Sequence, residues 1–124
     1  MSVLINISNH PSEKWSDEQK ARWTKIIDIP FPNVPADSDE IATMEIAAKV
    51  IDQITKIMSE DTNARYLMIQ GEFTLCYFLF EVIRRAVDVG IAIPTTERTT
   101  VETTNPDGTT TKSSVFKFVR WRII

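Results

Sequence analysis

Four short runs rich in aliphatic residues recur along this 124-residue chain, and a segment with helical features separates each run from the next. Strands that alternate with helices usually form a parallel sheet, because each helix carries the chain back to the same end of the sheet. The sequence therefore predicts an α/β fold with a mostly parallel sheet and helices on both faces. The four runs comprise residues 3–7, 24–29, 66–69 and 91–93.

Three helices are predicted between these strands. Ser16 and Gln19 have the spacing of a capping box, which starts a short helix after the first strand. Asp37 is predicted to cap a longer helix, whose apolar residues recur at three- and four-residue spacings. The third helix follows Gly71, is apolar almost all round, and is therefore predicted to be buried. The apolar face of the long helix comprises Ile41, Met44, Ala47, Ala48, Ile51, Ile54 and Met58.

The C-terminal part of the chain is rich in threonine and favours β structure. Pro94 and the polar residues up to Arg98 are predicted to end the fourth strand in a loop. A turn follows at residues 105–108, where proline is second and glycine fourth. We expect a C-terminal antiparallel β-hairpin at the edge of the sheet. In its second arm, residues 114–124, successive side chains point to opposite faces of the strand, and we expect both faces to be largely covered.

Size and charge limit the classes of function. A chain that is 43% hydrophobic and 25% charged has the composition of a globular protein, and we expect one domain, residues 1–124. The net charge of -3 argues against binding to long duplex nucleic acid. No apolar stretch approaches the roughly 20 residues that cross a bilayer, and no signal peptide is visible. These observations predict a cytoplasmic protein with no membrane partner.

His10 and Cys76 are the only histidine and the only cysteine. A single cysteine excludes an internal disulfide, and the apolar run around Cys76 predicts a buried thiol. Zinc sites need clusters of cysteine and histidine, which this chain lacks. We therefore expect neither a metal nor a cofactor.

Polar residues follow the predicted strands. In an open parallel sheet these segments meet past the carboxyl ends of the strands, where ligands usually bind. Hydroxyls, amides, an imidazole, a glycine, a carboxylate and a guanidinium at one edge are typical of a nucleotide or phosphodiester pocket. The loop of residues 30–33 reaches the same edge. The candidate ligand-binding residues are Ser8, Asn9, His10, Gly71, Glu72, Thr74, Thr95, Thr96 and Arg98.

Three of these residues have more than one interpretation. Histidine is the only side chain that ordinarily titrates near neutral pH, so His10 is the candidate general acid or base, or else a hydrogen-bonding element of its turn. Gly71 can bring backbone amides close to an anion, or can simply allow a tight turn. Glu72 would repel a phosphate, and can instead cap a helix, bind a ribose hydroxyl or act as a base.

Arg120 and Arg122 are predicted to project to one side of the last strand. They can bind phosphate or form ion pairs with Glu97 and Glu102 across the hairpin, and the ion pairs are the favoured interpretation. Trp15 can stack on a base or pack beside the Ser16 cap.

A resemblance to a known family covers nearly the whole chain. The segments that carry it are residues 6–12, Trp15-Ser16, Gln19, residues 28–32, residues 71–74, residues 95–98 and residues 116–120. They resemble the small CRISPR-associated ancillary proteins of type III systems. The resemblance implies a Rossmann-like fold related to the CRISPR-associated Rossmann sensor domain, and a homodimer built around a cyclic oligoadenylate second messenger. Some such proteins cleave the ring and are called ring nucleases, whereas others only bind it.

The resemblance also implies residue roles. His10 would be the acid or base of ring cleavage, and Arg98 would contribute positive charge. Phosphates and riboses would be held by Ser8, Asn9, Thr95 and Thr96. The predicted loops carry few cations, which favours recognition of the ring over its cleavage.

Three functional hypotheses follow. The leading one is a homodimeric protein that binds cyclic oligoadenylate, with cyclic tetra-adenylate the favoured ring, and quiets type III CRISPR signalling by sequestering the messenger. The first alternative is a metal-independent ring nuclease that uses attack by a 2'-hydroxyl. The second is a protein-interaction subunit whose threonine-rich hairpin and Trp121 pair with another chain.

Overall fold

The computed structural model describes residues 2–124 and has a five-stranded sheet at its centre. Its strands are β1 (Val3–Ser8), β2 (Lys25–Pro30), β3 (Ala64–Ile69), β4 (Gly90–Thr104) and β5 (Thr110–Ile123). They lie in the order β2-β1-β3-β4-β5, with the first four parallel and β5 antiparallel to β4. The predicted Rossmann-like α/β fold, with an antiparallel hairpin at its edge, is confirmed.

Helices cover both faces of this sheet, as predicted. They are α1 (Asp17–Lys20), α2 (Glu40–Glu60) and α3 (Phe73–Ala86), and a 3-10 turn (Ser12–Lys14) precedes α1. The chain crosses from β1 to β2 in one direction, and from β2 to β3 and on to β4 in the other. Right-handed crossovers that run in opposite directions lie on opposite faces, so α1 packs on one face and α2 and α3 on the other.

The face under α2 and α3 is aliphatic, and we call it the helix-side core. Alternate residues of β1 point into it, including Ile5 and Ile7, and neither has any exposed surface. Leu75, Leu79 and Ile83 of α3 pack against them. The helix-side core also contains Val3, Ile29, Phe31, Ala47, Val50, Ile54, Met58, Ala64, Leu67, Ile69 and Ile91.

The opposite face carries the tryptophan cluster, which consists of Leu4, Trp15, Trp23, Met68, Ala92 and Trp121. The Trp121 ring centroid lies 5.7 Å from that of Trp15 and 5.3 Å from that of Trp23. The Trp121 indole donates a hydrogen bond to the carbonyl oxygen of Gln19 at 3.0 Å. Trp121 is buried and therefore holds β5 against the α1 segment.

Two details of α2 differ from the prediction. Asp39 caps the helix instead of Asp37, since its carboxylate accepts a hydrogen bond from the Ala42 amide at 2.8 Å. The buried face is also rotated, so that Ile41 is 63% exposed and Met44 is 53% exposed. The residues that α2 buries are Thr43, Ala47, Val50, Ile54 and Met58.

Helix α3 is not buried all round, contrary to expectation. Its inner face enters the helix-side core, but Phe73, Tyr77 and Val82 are exposed to solvent. Apolar composition did not distinguish a helix with two covered faces from one with a single covered face. Among residues 2–124, no helix combines the length and the hydropathy needed to span a bilayer.

Strand β4 continues through Pro94 to Thr104, so Thr95, Thr96 and Arg98 lie in a strand and the predicted loop does not form. The pairs between β3 and β4 end at Leu67 and Ile91, and beyond this point β4 pairs only with β5. Proline is tolerated where its ring nitrogen faces an unpaired edge. The strand therefore passes through Pro94, and the outer hairpin extends beyond the other strands.

A β-bulge interrupts β5. Phe118 pairs with Thr96 and Arg120 pairs with Thr95, which leaves Val119 as the extra residue. The bulge brings Phe118 and Trp121 to one face, with ring centroids 5.6 Å apart. The predicted regular alternation is therefore wrong at this point. The prediction of two covered faces is also wrong, because most of β5 is exposed.

Candidate functional site

The carboxyl ends of β1 and β3 form the point of the sheet where the chain changes direction. These strands are neighbours, and Ile7 pairs with Ile69. After β1 the chain crosses to the face covered by α1, and after β3 it crosses to the face covered by α3. The segments that follow these two strands therefore diverge, and a crevice lies between them. The Gln70 amide donates to the carbonyl oxygen of Ile7 at 3.0 Å, which fixes the two connections side by side.

The crevice opens as the switch-point cleft, with a volume of about 450 Å³. It brings together three predicted residues, Asn9, His10 and Gly71, and adds Gln70 between them. Ile69 and Cys76 complete the lining. The prediction that residues following separate strands converge here is therefore correct for these three.

A second hollow, the hairpin-side cleft, has a volume of about 580 Å³ and extends from His10 and Gln70 to the hairpin. Thr96 is the predicted residue on its far wall, where Phe116 is 66% exposed. His10 and Gln70 line both clefts and so stand at their junction. The hairpin-side cleft is lined by His10, Lys14, Trp15, Ser16, Gln19, Met68, Gln70, Pro94, Thr96, Phe116 and Phe118.

A buried polar network holds the loop that carries His10. Asn6 is 1% exposed, and its amide donates to the His10 carbonyl at 3.0 Å and to the Asp28 carboxylate at 2.9 Å. Ser8 donates to the Asn6 side-chain oxygen at 2.7 Å and accepts from the His10 amide at 3.1 Å. Ser8 is thus buried within the network, where it positions the loop and is not presented to a ligand.

The remaining bonds of this loop involve Trp15 and Ser12. The Trp15 indole donates to the His10 carbonyl oxygen at 3.0 Å, and Trp15 is buried in the tryptophan cluster. The Ser12 hydroxyl donates to Asp28 at 2.9 Å. Trp15 therefore acts first as a support for the loop, and the backbone of His10 is the hydrogen-bonding element of the turn.

The imidazole of His10 is the group that remains free. It is exposed, and within residues 2–124 it has no hydrogen-bond partner. The polar network holds the backbone of His10, and the residue lines both clefts. This arrangement leaves the ring able to exchange a proton with a ligand, as a general acid or base requires.

Gly71 is needed for packing. A Cβ atom at residue 71 would overlap the aromatic ring of Phe31, which is itself buried in the helix-side core. Gly108 is the glycine with a left-handed backbone in residues 2–124, at φ 85°, so Gly71 does not serve a left-handed turn. Gly71 therefore lets the β3 connection lie directly on Phe31.

Glu72 caps α3. Its two carboxylate oxygens accept hydrogen bonds from the amides of Thr74 and Leu75, each at 2.9 Å. The bonds to Leu75 and Thr74 lower the pKa of Glu72 from its usual value. Glu72 and Thr74 line a different hollow of about 270 Å³, beside the start of α2. The structure therefore separates these two predicted residues from His10.

Thr95 and Arg98 also lie apart from the two clefts. The Thr95 hydroxyl donates to the carbonyl oxygen of Arg120 at 3.1 Å and accepts from the Arg120 amide at 3.2 Å, so it stabilises the bulge. Arg98 lies farther out on the hairpin, where its Nε donates to the Ser114 hydroxyl at 2.9 Å. Of the three predicted β4 residues, only Thr96 lines a cleft.

Cys76 is half-buried on the wall of the switch-point cleft. Burial raises the pKa of its thiol, the Gly71 backbone opposes that shift, and the charge of Glu72 adds to it. A thiol with a raised pKa is a weak nucleophile at neutral pH. Within residues 2–124, no three His, Cys, Asp or Glu side chains form a group that could hold a metal ion.

Several residues of the hairpin-side cleft are not among the candidate ligand-binding residues predicted from the sequence. Lys14 places a cation in this cleft, which reduces the shortage of positive charge in the predicted loops. Phe116 and Phe118 lie two residues apart on a strand, a spacing that indicates an aromatic wall. Gln70 directly follows the β3 run, so its position points to the same edge as His10. The residues that were missed include Lys14, Gln19, Gln70, Phe116 and Phe118.

Comparisons with known proteins place the chain in a family without assigning an activity. No curated protein and no solved structure matches it significantly. The model of one family, described as the uncharacterized protein MJ1673 family, matches residues 2–122. That match covers both clefts and every strand except the last residue of β5. The chain belongs to the uncharacterized protein MJ1673 family.

Proposed function

We propose that this protein is a cytoplasmic homodimer that binds cyclic oligoadenylate, with cyclic tetra-adenylate the favoured ring, and lowers the concentration of the free messenger in type III CRISPR signalling. The observation that carries the proposal is the junction of two clefts at the change of direction in the sheet. Free His10 and exposed Gln70 line both clefts there. The resemblance of the chain to type III ancillary proteins supports the choice of ligand.

The hairpin-side cleft has the chemistry to bind an adenosine unit. Phe116 exposes most of its ring surface, and aromatic side chains stack on bases with about 1–3 kcal/mol per base. Gln70 has both a donor and an acceptor, as recognition of an adenine edge requires. Lys14 is the cation available there for a phosphate.

A homodimer fits a ring with two-fold symmetry. In an isologous interface the same surface of each subunit contacts the other, so two copies of one cleft can each bind half of a cyclic tetra-adenylate. Each protomer contributes its own His10 and Gln70. The dimer would therefore bind one ring for every two chains.

The proposal is tested by calorimetry with cyclic tri-, tetra- and hexa-adenylate. We expect binding to the tetra-adenylate with one ring per dimer, and a roughly ten-fold loss of affinity in Gln70→Ala and in Phe116→Ala, since tenfold corresponds to about 1.4 kcal/mol. Tyr77→Ala is the matched control, because Tyr77 is an exposed aromatic residue on α3. Absence of binding to all three rings would exclude the proposal.

A metal-independent ring nuclease is the second candidate, and the unbonded imidazole of His10 favours it. In this reaction His10 accepts the proton of a ribose 2'-hydroxyl, and the 2'-oxygen attacks the adjacent phosphorus. The bond from phosphorus to the 5'-oxygen breaks, and a proton from solvent neutralises the leaving oxygen. The products are a linear oligoadenylate end with a 2',3'-cyclic phosphate and a free 5'-hydroxyl.

Product formation distinguishes the two candidates. Protein is incubated with a molar excess of ring, and the mixture is separated by chromatography. An enzyme forms linear product beyond one equivalent, and His10→Ala then loses product while it still binds the ring. A protein that only sequesters the messenger returns the ring intact.

A further inference from the structure

A fourth hollow lies on the tryptophan-cluster face, and it is separate from the two clefts at the switch point. We call it the arginine pocket, with a volume of about 550 Å³. Two guanidinium groups, those of Arg22 and Arg120, share it with two aromatic rings. It is lined by Arg22, Phe118, Arg120, Trp121 and Ile123.

Both guanidinium groups lack a carboxylate partner among residues 2–124. The ion pairs in this part of the chain are Lys25 with Asp61, Arg85 with Glu81 and Lys112 with Glu102. The ion pair expected between Arg120 and an acidic residue of the hairpin does not form. In the register of the hairpin Arg120 lies opposite Thr95, and Glu102 pairs with Lys112. The arginine pocket therefore presents uncompensated positive charge.

Neighbouring groups hold the two arginines in place. The guanidinium carbon of Arg22 lies 5.4 Å from the centre of the Trp23 ring, which is a cation-π contact. Arg120 donates from Nε to the Trp121 carbonyl oxygen at 3.4 Å, and this bond leaves its terminal amino groups available. Planar guanidinium groups bind phosphate oxygens in pairs, with more geometric specificity than lysine offers.

Charge is unevenly distributed along the chain. Residues 108–124 include Lys112, Lys117, Arg120 and Arg122 and no acidic residue. Residues 33–61, by contrast, hold seven acidic residues and two lysines. A protein with a net charge of -3 thus keeps the β5 edge basic, which attracts anions to the arginine pocket.

We propose that the arginine pocket binds the phosphate of a nucleotide, with Arg22 and Arg120 on the phosphate and the base against the aromatic wall of Phe118. This inference goes beyond the proposed function, since neither arginine lines the clefts at the switch point. Phe118 lines both the arginine pocket and the hairpin-side cleft. A free nucleotide and one end of a short oligonucleotide offer the same chemistry to this pocket.

The test uses adenosine 5'-monophosphate and a 5'-phosphorylated tri-adenylate as probes, with binding measured by calorimetry at low salt. We expect the monophosphate to bind the wild-type protein and adenosine without phosphate to bind at least ten-fold more weakly. The double variant Arg22→Gln with Arg120→Gln should lose at least ten-fold in affinity for the monophosphate. Both arginines are exposed, so we expect this variant to fold, and circular dichroism checks that it does.

Two control variants separate this pocket from the clefts. Arg84→Gln removes an exposed arginine of α3 and should leave the affinity unchanged. In a Gln70→Ala background the double variant should still lose at least ten-fold in affinity for the monophosphate, so a failure of the proposed cyclic ligand leaves this inference intact. If both Gln70→Ala and the double variant weaken tri-adenylate binding, the oligonucleotide spans the two hollows. If only the double variant does so, the pocket binds the terminal nucleotide alone.

Two results would overturn the inference. One is failure of the monophosphate to bind the wild-type protein at low salt. The other is equal affinity of the wild-type protein and the double variant for both probes.

Discussion

At β1 both faces of the sheet are buried, but they differ in chemistry. On β1, Val3, Ile5 and Ile7 face the helix-side core, where aliphatic packing predominates. Leu4 faces the tryptophan cluster, and its alternate neighbours Asn6 and Ser8 form the polar network under the His10 loop. Because successive side chains of β1 point to opposite faces, one set stabilises the helix-side core and the other set supports the His10 loop.

This difference also explains why the hairpin-side cleft and the arginine pocket lie on the tryptophan-cluster face. Two long helices cover the helix-side core, whereas the other face has only a 3-10 turn, the four-residue α1 and their connecting loops. The hairpin-side cleft and the arginine pocket open beside residues of the tryptophan cluster. Large aromatic rings can cover a sheet with few residues and still leave space at their edges.

The largest expected effect is in the helix-side core. Leu79→Ala removes a side chain with no exposed surface and leaves a cavity, so we expect a loss of about 2–5 kcal/mol in the free energy of unfolding. Urea denaturation measures this change. Val82→Ala, on the same helix but 42% exposed, is the control and should cost much less. Equal losses in the two variants would contradict the packing described for α3.

The next effect is in the polar network. Asn6→Ala removes the amide that bonds the His10 carbonyl and Asp28, and leaves buried polar groups unpaired. We expect a loss of about 1–3 kcal/mol in the free energy of unfolding, together with weaker binding of any ligand that contacts His10. Asn9→Ala is the stability control, since Asn9 is exposed. A variant at Asn6 with wild-type stability would show that the network does not hold the loop.

A smaller effect compares two tryptophans of one cluster. The indole nitrogen of Trp121 donates to Gln19, but the buried indole nitrogen of Trp23 has no partner within residues 2–124. Trp121→Phe should therefore lower the free energy of unfolding by about 1 kcal/mol more than Trp23→Phe, because only the first change breaks a hydrogen bond. Urea denaturation of both variants measures the difference. If Trp23→Phe loses as much free energy of unfolding as Trp121→Phe, or more, the rings stabilise the cluster by packing alone.

The sequence predicted a mostly parallel sheet with an antiparallel hairpin at its edge, because each parallel strand was a continuous apolar run and each connection between these strands was helical. It also predicted that Asn9, His10 and Gly71 meet, since all three directly follow parallel strands. Thr95 and Arg98 were misplaced because Pro94 was taken as the end of β4. The proline is compatible with the strand only because β4 has left β3, and one strand's sequence does not show which of its edges is free.

The aromatic wall was missed for a related reason. Regular alternation assigns Phe118 and Trp121 to opposite faces, since they are three residues apart. The bulge at Val119 brings them to the same face, and a bulge depends on the pairing of two strands. The arginine pocket was missed for the same reason. The register of the hairpin places Glu102 opposite Lys112, and it therefore leaves Arg120 without the ion pair that the sequence predicts. Features that depend on register were thus the part of the site that sequence alone did not provide.

The smallest expected effect concerns Glu72, whose carboxylate caps α3. Two backbone hydrogen bonds lower the pKa of Glu72, so its ionised form is more stable in the folded chain than in the unfolded chain. A lowered pKa contributes stability above the pKa of the unfolded state, and this contribution is lost as pH falls through the lower, folded-state pKa. Glu72→Gln should therefore have a lower melting temperature than the wild-type protein at neutral pH. This difference in melting temperature, the gap, should narrow as the pH falls below the usual pKa of glutamate. Thermal melts across this range measure the gap, with Glu45→Gln, an exposed mid-helix change in α2, as the control. A gap that stays constant with pH would mean that Glu72 caps the helix through its shape alone and that its charge contributes nothing.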